Sequence, residues 1–300
     1  MLFKRKGIAG ALERVEKAIT SFLFFPRLAI SENLTDYIRK NPINGDFKRA
    51  VLLANGPSLK RELLQIKESL SKLDDCLFIG INDFSLSEDY SLLKPKAYVL
   101  SDSKYFMETS LMERSLKSLH EINVKTTWKM NIYVPFKHRD SFLKFSAIDN
   151  PNIHVIPFHS IRFWGLEKIR MYVYKWGLGN GEFGTVIINA IYVALVLGFK
   201  KLYLFGVDHT FFDGLHVDKK NRLCYIYNHF DSTEPEVKPM MSHHDGVTVP
   251  FTMYDFLTEK LDVWHGHEVM KDFSKFMGAE IINCTENSMI DTYKRGTLED

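Results

Sequence analysis

The chain predicts an α/β fold on a doubly wound, mostly parallel sheet, and three observations carry that prediction. Short apolar runs alternate with helical patterns from residue 49 onward. Those runs are apolar along their length instead of alternating, as in strands covered on both faces. Residues 51–61, Val-Leu-Leu-Ala-Asn-Gly-Pro-Ser-Leu-Lys-Arg, pass from an apolar strand through a tight turn directly into a helical pattern. A junction of that kind places backbone amides and a helix amino end at the carboxyl edge of a sheet, where phosphate-bearing ligands bind.

Residues 1–48 read as a helical appendage to a domain spanning 49–300. Ile8, Leu12, Val15, Ile19 and Phe22 recur at spacings of four and three, one face of an amphipathic helix. Lys4, Arg5 and Lys6 precede that stripe, and Phe24 and Phe25 follow it before Pro26. The pattern over residues 1–25 suits an anionic membrane surface, and it equally suits packing on the protein's own core or on a second subunit.

Seven strands are expected: Ala50–Ala54, Cys76–Ile81, Ala97–Ser101, Trp128–Val134, Ile153–Phe158, Lys201–Phe205 and Glu280–Asn283. Between them helical periodicity marks 58–72, 104–120, 184–198 and 252–277. That order implies right-handed crossovers and a mostly parallel sheet. Residues 207–250, rich in His, Asp, Asn and Pro, break the alternation and read as an irregular lid.

Composition narrows the class. With 39 basic and 37 acidic residues, the net charge of +2 gives no basic excess for nucleic acid. Cys76, Cys224 and Cys284 form no CxxC pair, and so low and odd a count suits a reducing compartment. The longest apolar run, Val186 to Phe199, is too short for a membrane span and contains Asn189. The N-terminal charges interrupt any signal-peptide core. The expected location is the cytoplasm, with the basic amphipathic start as a means of lying on the inner membrane face. The 23 Phe and 13 Tyr fit a deep core or a stacking surface equally well.

Candidate site residues gather at strand ends. Asn55-Gly56-Pro57-Ser58 follows the first strand and Asn82-Asp83 the second. Ser101-Asp102-Ser103 follows the third and Gly206-Val207-Asp208-His209 the sixth. Gly56 suits a tight turn, Pro57 a first helical residue and Ser58 a cap. Any one of these is an ordinary turn; the four together suit contacts to ribose, base and phosphate. Gly184-Thr185 opens the most apolar helix and suits an anion or a plain Thr cap. Neither a Walker loop nor GxGxxG occurs. His209, His216, His229, His243 and His244 lie in the lid, and His265 and His267 in Trp-His-Gly-His-Glu. An imidazole titrates near neutrality and can deprotonate a hydroxyl, whereas no spacing here matches a metal pattern.

The Asn-Gly-Pro-Ser-Leu turn, Asn82 and the run Gly184-Thr185…Gly198-Phe199-Lys200-Lys201-Leu202-Tyr203-Leu204-Phe205-Gly206-Val207-Asp208 resemble the family 42 bacterial sialyltransferases. They equally resemble related domains: the flagellin-modifying motility accessory factors and the archaeal hydroxymethylpterin diphosphokinases. The resemblance covers roughly residues 49–290. It implies a Rossmann-like variant glycosyltransferase fold, a CMP-activated sugar donor, no metal and no further cofactor. It implies that Asn55, Gly56, Ser58, Asn82 and Thr185 hold the nucleotide; the strand-end and helix-start reading adds Pro57, Asp102, Gly184 and Asp208 beside them. A second family Asn falls on Ser101 here, and two family tyrosines that bind the leaving phosphate fall near Thr210 and His216. The family's base, a His before an aromatic residue, matches His229-Phe230 best, with His265 second.

The expected function is therefore inverting, metal-independent transfer of a sialic acid-, nonulosonate- or Kdo-like sugar from a CMP donor to a bacterial surface glycan or glycolipid. His229 is the expected base and His216 a donor to the leaving phosphate. An ATP- and magnesium-dependent pterin-type diphosphokinase is the alternative enzyme, with Asp83, Asp102 and Asp208 as its metal-binding carboxylates. A nucleotide- or glycan-binding module without turnover is the non-enzymatic alternative.

Overall fold

The computed structural model describes residues 8–28, 33–106, 113–163, 165–181, 183–227, 236–244 and 247–300. Two helices, α1 (Ile8–Leu28) and α2 (Leu34–Lys40), precede the sheet. The first half of the domain runs β1 (Arg49–Leu53), α3 (Leu59–Glu68), β2 (Cys76–Ile81), α4 (Tyr90–Leu93), β3 (Ala97–Val99), α5 (Glu113–Lys125), β4 (Met130–Pro135), α6 (Arg139–Phe145) and β5 (Ile153–Phe158). The second half runs α7 (Glu167–Lys175), α8 (Val186–Val196), β6 (Lys201–Phe205), β7 (Leu215–Val217), β8 (Leu223–Tyr227), β9 (Glu236–Pro239), β10 (Met241–His244), β11 (Val247–Pro250), α9 (Met253–Phe276), β12 (Glu280–Asn283) and β13 (Lys294–Arg295).

Eight strands form one sheet in the order β13-β12-β6-β1-β2-β3-β4-β5, and every pairing in it is parallel. The protein thus has a Rossmann-like, doubly wound α/β fold. The chain builds outward from β1 to β5, then crosses back to lay β6 on the other side of β1. The reversal puts a topological switch point between β1 and β6. All seven expected strands are present, within one residue of their expected limits except at the C-terminal end of β3 and the N-terminal end of β4, which differ by two.

The burial pattern explains the composition. Every residue of β2 and β4 is buried, so neither strand shows alternation. The apolar helix α8 lies across β1, β2 and β3 with nearly all of its residues buried. The aromatic excess is core: Tyr98, Tyr133, Tyr192 and Phe205 are almost wholly buried. Asn189, the polar residue in α8, is satisfied on both sides. Its Nδ2 donates to Ser101 Oγ at 2.8 Å and its Oδ1 accepts from Asn180 Nδ2 at 2.8 Å.

Two expectations change. The described residues of 207–250 are mostly strand: β7, β8 and β9 form an antiparallel sheet, and β10 pairs with β11 as a hairpin. Its pairings are local and its strands short, so the sequence carried little periodicity. The start of the chain also divides differently. α2 belongs to the main core, since Leu34 is fully buried there and its amide donates to Gly177 O. α1, by contrast, leaves its apolar stripe in solvent: Leu12, Val15, Ile19 and Phe22 are 65%, 56%, 55% and 75% exposed. α1 meets the domain at Ser21, whose Oγ accepts from Leu166 N at 2.9 Å. No helix among the described residues is long and apolar enough to cross a membrane.

This division is measurable by urea unfolding. Leu34→Ala should cost about 2–4 kcal/mol, the usual loss for a buried leucine. Leu12→Ala on the open face of α1 should stay within about 0.5 kcal/mol. Equal losses would show that α1 is packed as tightly as α2.

Candidate functional site

The β1–α3 turn sits where it does because of contacts from the end of β6. Gly56 N donates to Gly206 O at 2.9 Å. Ser58 donates twice to Asp208, from its amide to Oδ1 at 3.2 Å and from Oγ to Oδ2 at 2.9 Å. The approach is so close that a Cβ on Gly56 would lie 1.8 Å from Asp208 Oδ2. Glycine is required there for space. Below the turn, Glu62 accepts from Gly206 N at 2.7 Å and from Glu286 N at 3.2 Å. Burial raises the pKa of Glu62 despite those donors.

The next two strand ends are fixed in similar fashion. Asn55 Nδ2 donates to Ile81 O at 2.9 Å, tying the turn to the end of β2. Asn82 follows with φ of 45°, a left-handed conformation, and its carbonyl accepts from Tyr98 OH at 2.7 Å. Its side-chain Oδ1 is buried and has no donor. Asp102 Oδ1 accepts from Lys104 N, which turns the chain after β3.

These ends enclose an open cleft of about 390 Å³ at the switch point. Of the residues expected at a site, Asn55, Gly56, Pro57, Asn82, Asp102, Gly184, Thr185 and Asp208 line it. The four strand ends are neighbours in the sheet, in the order β6, β1, β2, β3. The amino end of α8 opens into the cleft through Thr185, Val186 and Ile187, whereas that of α3 is closed by the Asp208 carboxylate. Thr185 precedes α8 without capping it through its side chain, so the first amides of α8 are left to other acceptors. No Lys or Arg is among the described lining residues.

Other expected residues lie elsewhere. Ser58 is buried beneath the turn; its hydroxyl serves Asp208 and does not cap α3. Ser101 lies behind the cleft wall, bonded to Asn189. His216 sits on β7 opposite Cys224, outside the cleft lining, with Nδ1 near Gly214 O. His265 is on α9, edge-on to Phe183, and burial lowers its pKa. His229 lies outside the described residues. Asp83 faces Lys104 at 3.0 Å, Arg114 at 2.9 Å and Tyr105 OH at 2.5 Å. Burial alone would raise its pKa, but those donors outweigh it and the net shift is downward. Among the described residues, no three His, Cys, Asp or Glu side chains converge as metal ligands.

The structure adds Phe211 and Tyr225 to the site, beside His209 of the expected strand end and Thr210, near which a family tyrosine falls. His209, Thr210, Phe211 and Tyr225 line the cleft. His209 has φ of 53° and stacks on Phe211, with ring centroids 4.8 Å apart. Its Nε2 lies 3.0 Å from Nε2 of the fully buried His267. The available signal was the position of His209, directly after the strand-end Asp208. Tyr225 had no comparable signal, since β8 brings it from the lid.

Neither a family model nor a curated protein matches the sequence. Among solved structures, the chain is similar to a MAf glycosyltransferase from Magnetospirillum magneticum AMB-1, at 17% identity and a TM-score of 0.45. The match covers 90% of this chain and 39% of that one.

The buried imidazoles make stability depend on pH. Burial, then nearby Lys260, lowers the pKa of His209 to about 4, and burial holds His267 well below the ordinary value. Protons therefore bind the unfolded chain first as pH falls below the ordinary histidine range. Stability should fall between about pH 7 and pH 4. The His209→Gln/His267→Gln variant should show a flatter melting-temperature profile over that window. An unchanged slope would mean that these histidines do not govern it.

Proposed function

We propose that the protein is an inverting glycosyltransferase that takes its sugar from a CMP-activated donor. One observation carries this reading: the amino end of α8 and four strand ends meet in one cleft whose described lining holds no fixed cation. Helix amino ends favour anions through their free amides and dipoles. A nucleoside monophosphate leaving group needs only modest charge stabilisation, which neutral donors and dipoles can supply. The buried, donorless Oδ1 of Asn82 suits a ribose hydroxyl or a base amino group.

Roles follow from position. The amides after Thr185 hold the phosphate, with the Thr185 hydroxyl beside them. In this reading Tyr225, which lines the cleft, donates to the departing phosphate, the role the sequence assigned near Thr210 and His216. The β7–β9 sheet limits water, whose attack on the donor is the competing reaction. The acceptor is a growing surface glycan or a lipid-linked saccharide.

A diphosphokinase is less well supported because its expected carboxylates are already engaged. Asp208 is held by Ser58, Asp83 by Lys104, Arg114 and Tyr105, and Asp102 by the Lys104 amide.

Thermal-shift measurements against CMP, CDP, UDP, GDP and ATP test the proposal. CMP or CDP should raise the melting temperature by a few degrees whether magnesium or EDTA is present, since a ligand selective for the folded state stabilises it. A shift with ATP alone that EDTA abolishes would replace the transferase with the kinase.

The open face of α1 is proposed to lie on an anionic membrane near the lipid-linked acceptor. Its exposed Leu12, Val15, Ile19 and Phe22 are flanked in sequence by Lys4, Arg5, Lys6, Arg14, Lys17 and Arg27. The full chain should cosediment with phosphatidylglycerol vesicles but not with neutral phosphatidylcholine vesicles, and Leu12→Asp/Phe22→Asp should abolish this. A concentration-dependent dimer with no vesicle binding would assign the face to a second subunit.

A further inference from the structure

Three polar side chains run inward from the cleft wall. His209 lines the cleft, and its Nε2 faces His267 Nε2 at 3.0 Å. Beyond it, His267 Nδ1 lies 2.9 Å from the hydroxyl of buried Tyr293, and that hydroxyl also reaches the main-chain oxygen of His267 at 3.3 Å. His267 is fully buried on α9.

The hydrogens of this chain can be placed by counting donors. A phenol has one hydrogen to give. Donated to His267 Nδ1, it leaves the contact with the main-chain oxygen unmade. Donated to the main-chain oxygen, it lets the phenol oxygen accept from an Nδ1–H, and both contacts become hydrogen bonds. The second arrangement makes His267 the Nδ1–H tautomer. Its Nε2 lone pair then accepts from His209 Nε2–H, so the nitrogen of His209 left for the cleft is an unprotonated Nδ1.

We propose that His209 is the general base of the cleft and that His267 and Tyr293 are positioning residues that fix its tautomer. The role rests on the glycosyltransferase reading. In the reaction, the acceptor oxygen forms a bond to the anomeric carbon as the bond from that carbon to the phosphate oxygen breaks. The electron pair leaves with CMP, and the acceptor proton moves to His209 Nδ1. The resulting imidazolium keeps its Nε2–H bonded to His267, whose neutral Nε2 is a fixed acceptor. Two further observations agree. His209 is held in a left-handed backbone conformation, a strained state that clusters at functional sites. Among the described residues, the charged and titratable groups facing it are Asp208 on its own strand end, Lys260 and His267 on α9, and, in the cleft lining, Asp102 and Tyr225. Burial and Lys260 keep the free imidazole neutral, and an anionic donor beside it raises its basicity when the donor binds.

The test uses the full chain labelled with 15N-histidine, which carries 11 imidazoles. Long-range 1H–15N spectra near neutral pH report each tautomer, and His209→Gln and His267→Gln assign the two signals. The expected result is Nε2–H for His209 and Nδ1–H for His267. Tyr293→Phe removes the acceptor for that Nδ1–H and should flip both rings, a change that loosened packing alone would not produce. An Nδ1–H tautomer at His209 in the unaltered protein overturns the proposal.

With CMP-N-acetylneuraminic acid as the probe donor, His209→Gln should lower donor turnover by about a hundredfold or more. The CMP-induced thermal shift should survive. If the Gln variant does not fold, His209→Asn carries the same expectation. Tyr293→Phe should give a smaller loss and a displaced acid limb of the pH–rate profile. A loss below about threefold in His209→Gln overturns the base assignment. A wild-type chain that binds CMP but turns over no CMP-sugar removes the transferase reading and the base role with it, while the spectra still decide the tautomer chain.

Discussion

The contact between the end of β6 and the β1–α3 turn governs the rest of the site. Asp208 and Ser58 are 150 residues apart in sequence, yet they share two buried hydrogen bonds. Gly206 bridges the same gap twice, accepting from Gly56 N and donating to Glu62. A buried carboxylate oxygen stripped of its donor costs about 1–3 kcal/mol, so neither partner can be replaced freely. This clasp sets the start of α3 and closes its amino end with the Asp208 carboxylate. It also fixes Asp208, and with it the neighbouring His209.

The sheet was largely legible because its strands are buried on both faces and have to be apolar. β2 and β4 show this most directly, and their limits follow from it. Legibility fails where tertiary contacts override local pattern. α2 is short and only moderately apolar, and Leu34 is core because α2 docks near Gly177, far along the chain. The lid strands pair with near neighbours and expose much of their surface, so little periodicity is imposed on them. At the site, strand ends could be read from small polar residues, but their orientation could not. Ser58 looked like a cap because that is the usual use of serine there; the nearness of Asp208, 150 residues on, gives its hydroxyl another partner. Among the histidines, composition drew the eye to the lid, whereas the chain behind His209 depends on α9 and the C-terminal segment meeting it. No local signal encodes that meeting.

The electrostatics of the cleft follow the same economy. Acidic side chains stand near it, but each is bound to donors of its own. Asp83 is surrounded by a lysine, an arginine and a phenol. Asn189 places two polar contacts inside an apolar helix without an unmet group of its own. What faces the cleft from the backbone is then mainly the partial positive charge of the amino end of α8, which discriminates by sign and position and not by strong pairing.

The position of β1 between β2 and β6 also dictates the order of assembly. β2 is nearby in sequence, so β1 can pair on that side early. The other edge of β1 stays open until β6 arrives, about half the chain later. Such non-local parallel pairing is slow, and an open apolar strand edge is prone to association with other chains. During synthesis the first half of the sheet therefore waits with its central strand uncovered. The closing of that edge and the completion of the cleft are one event, because the segment that covers β1 also delivers Asp208 and His209.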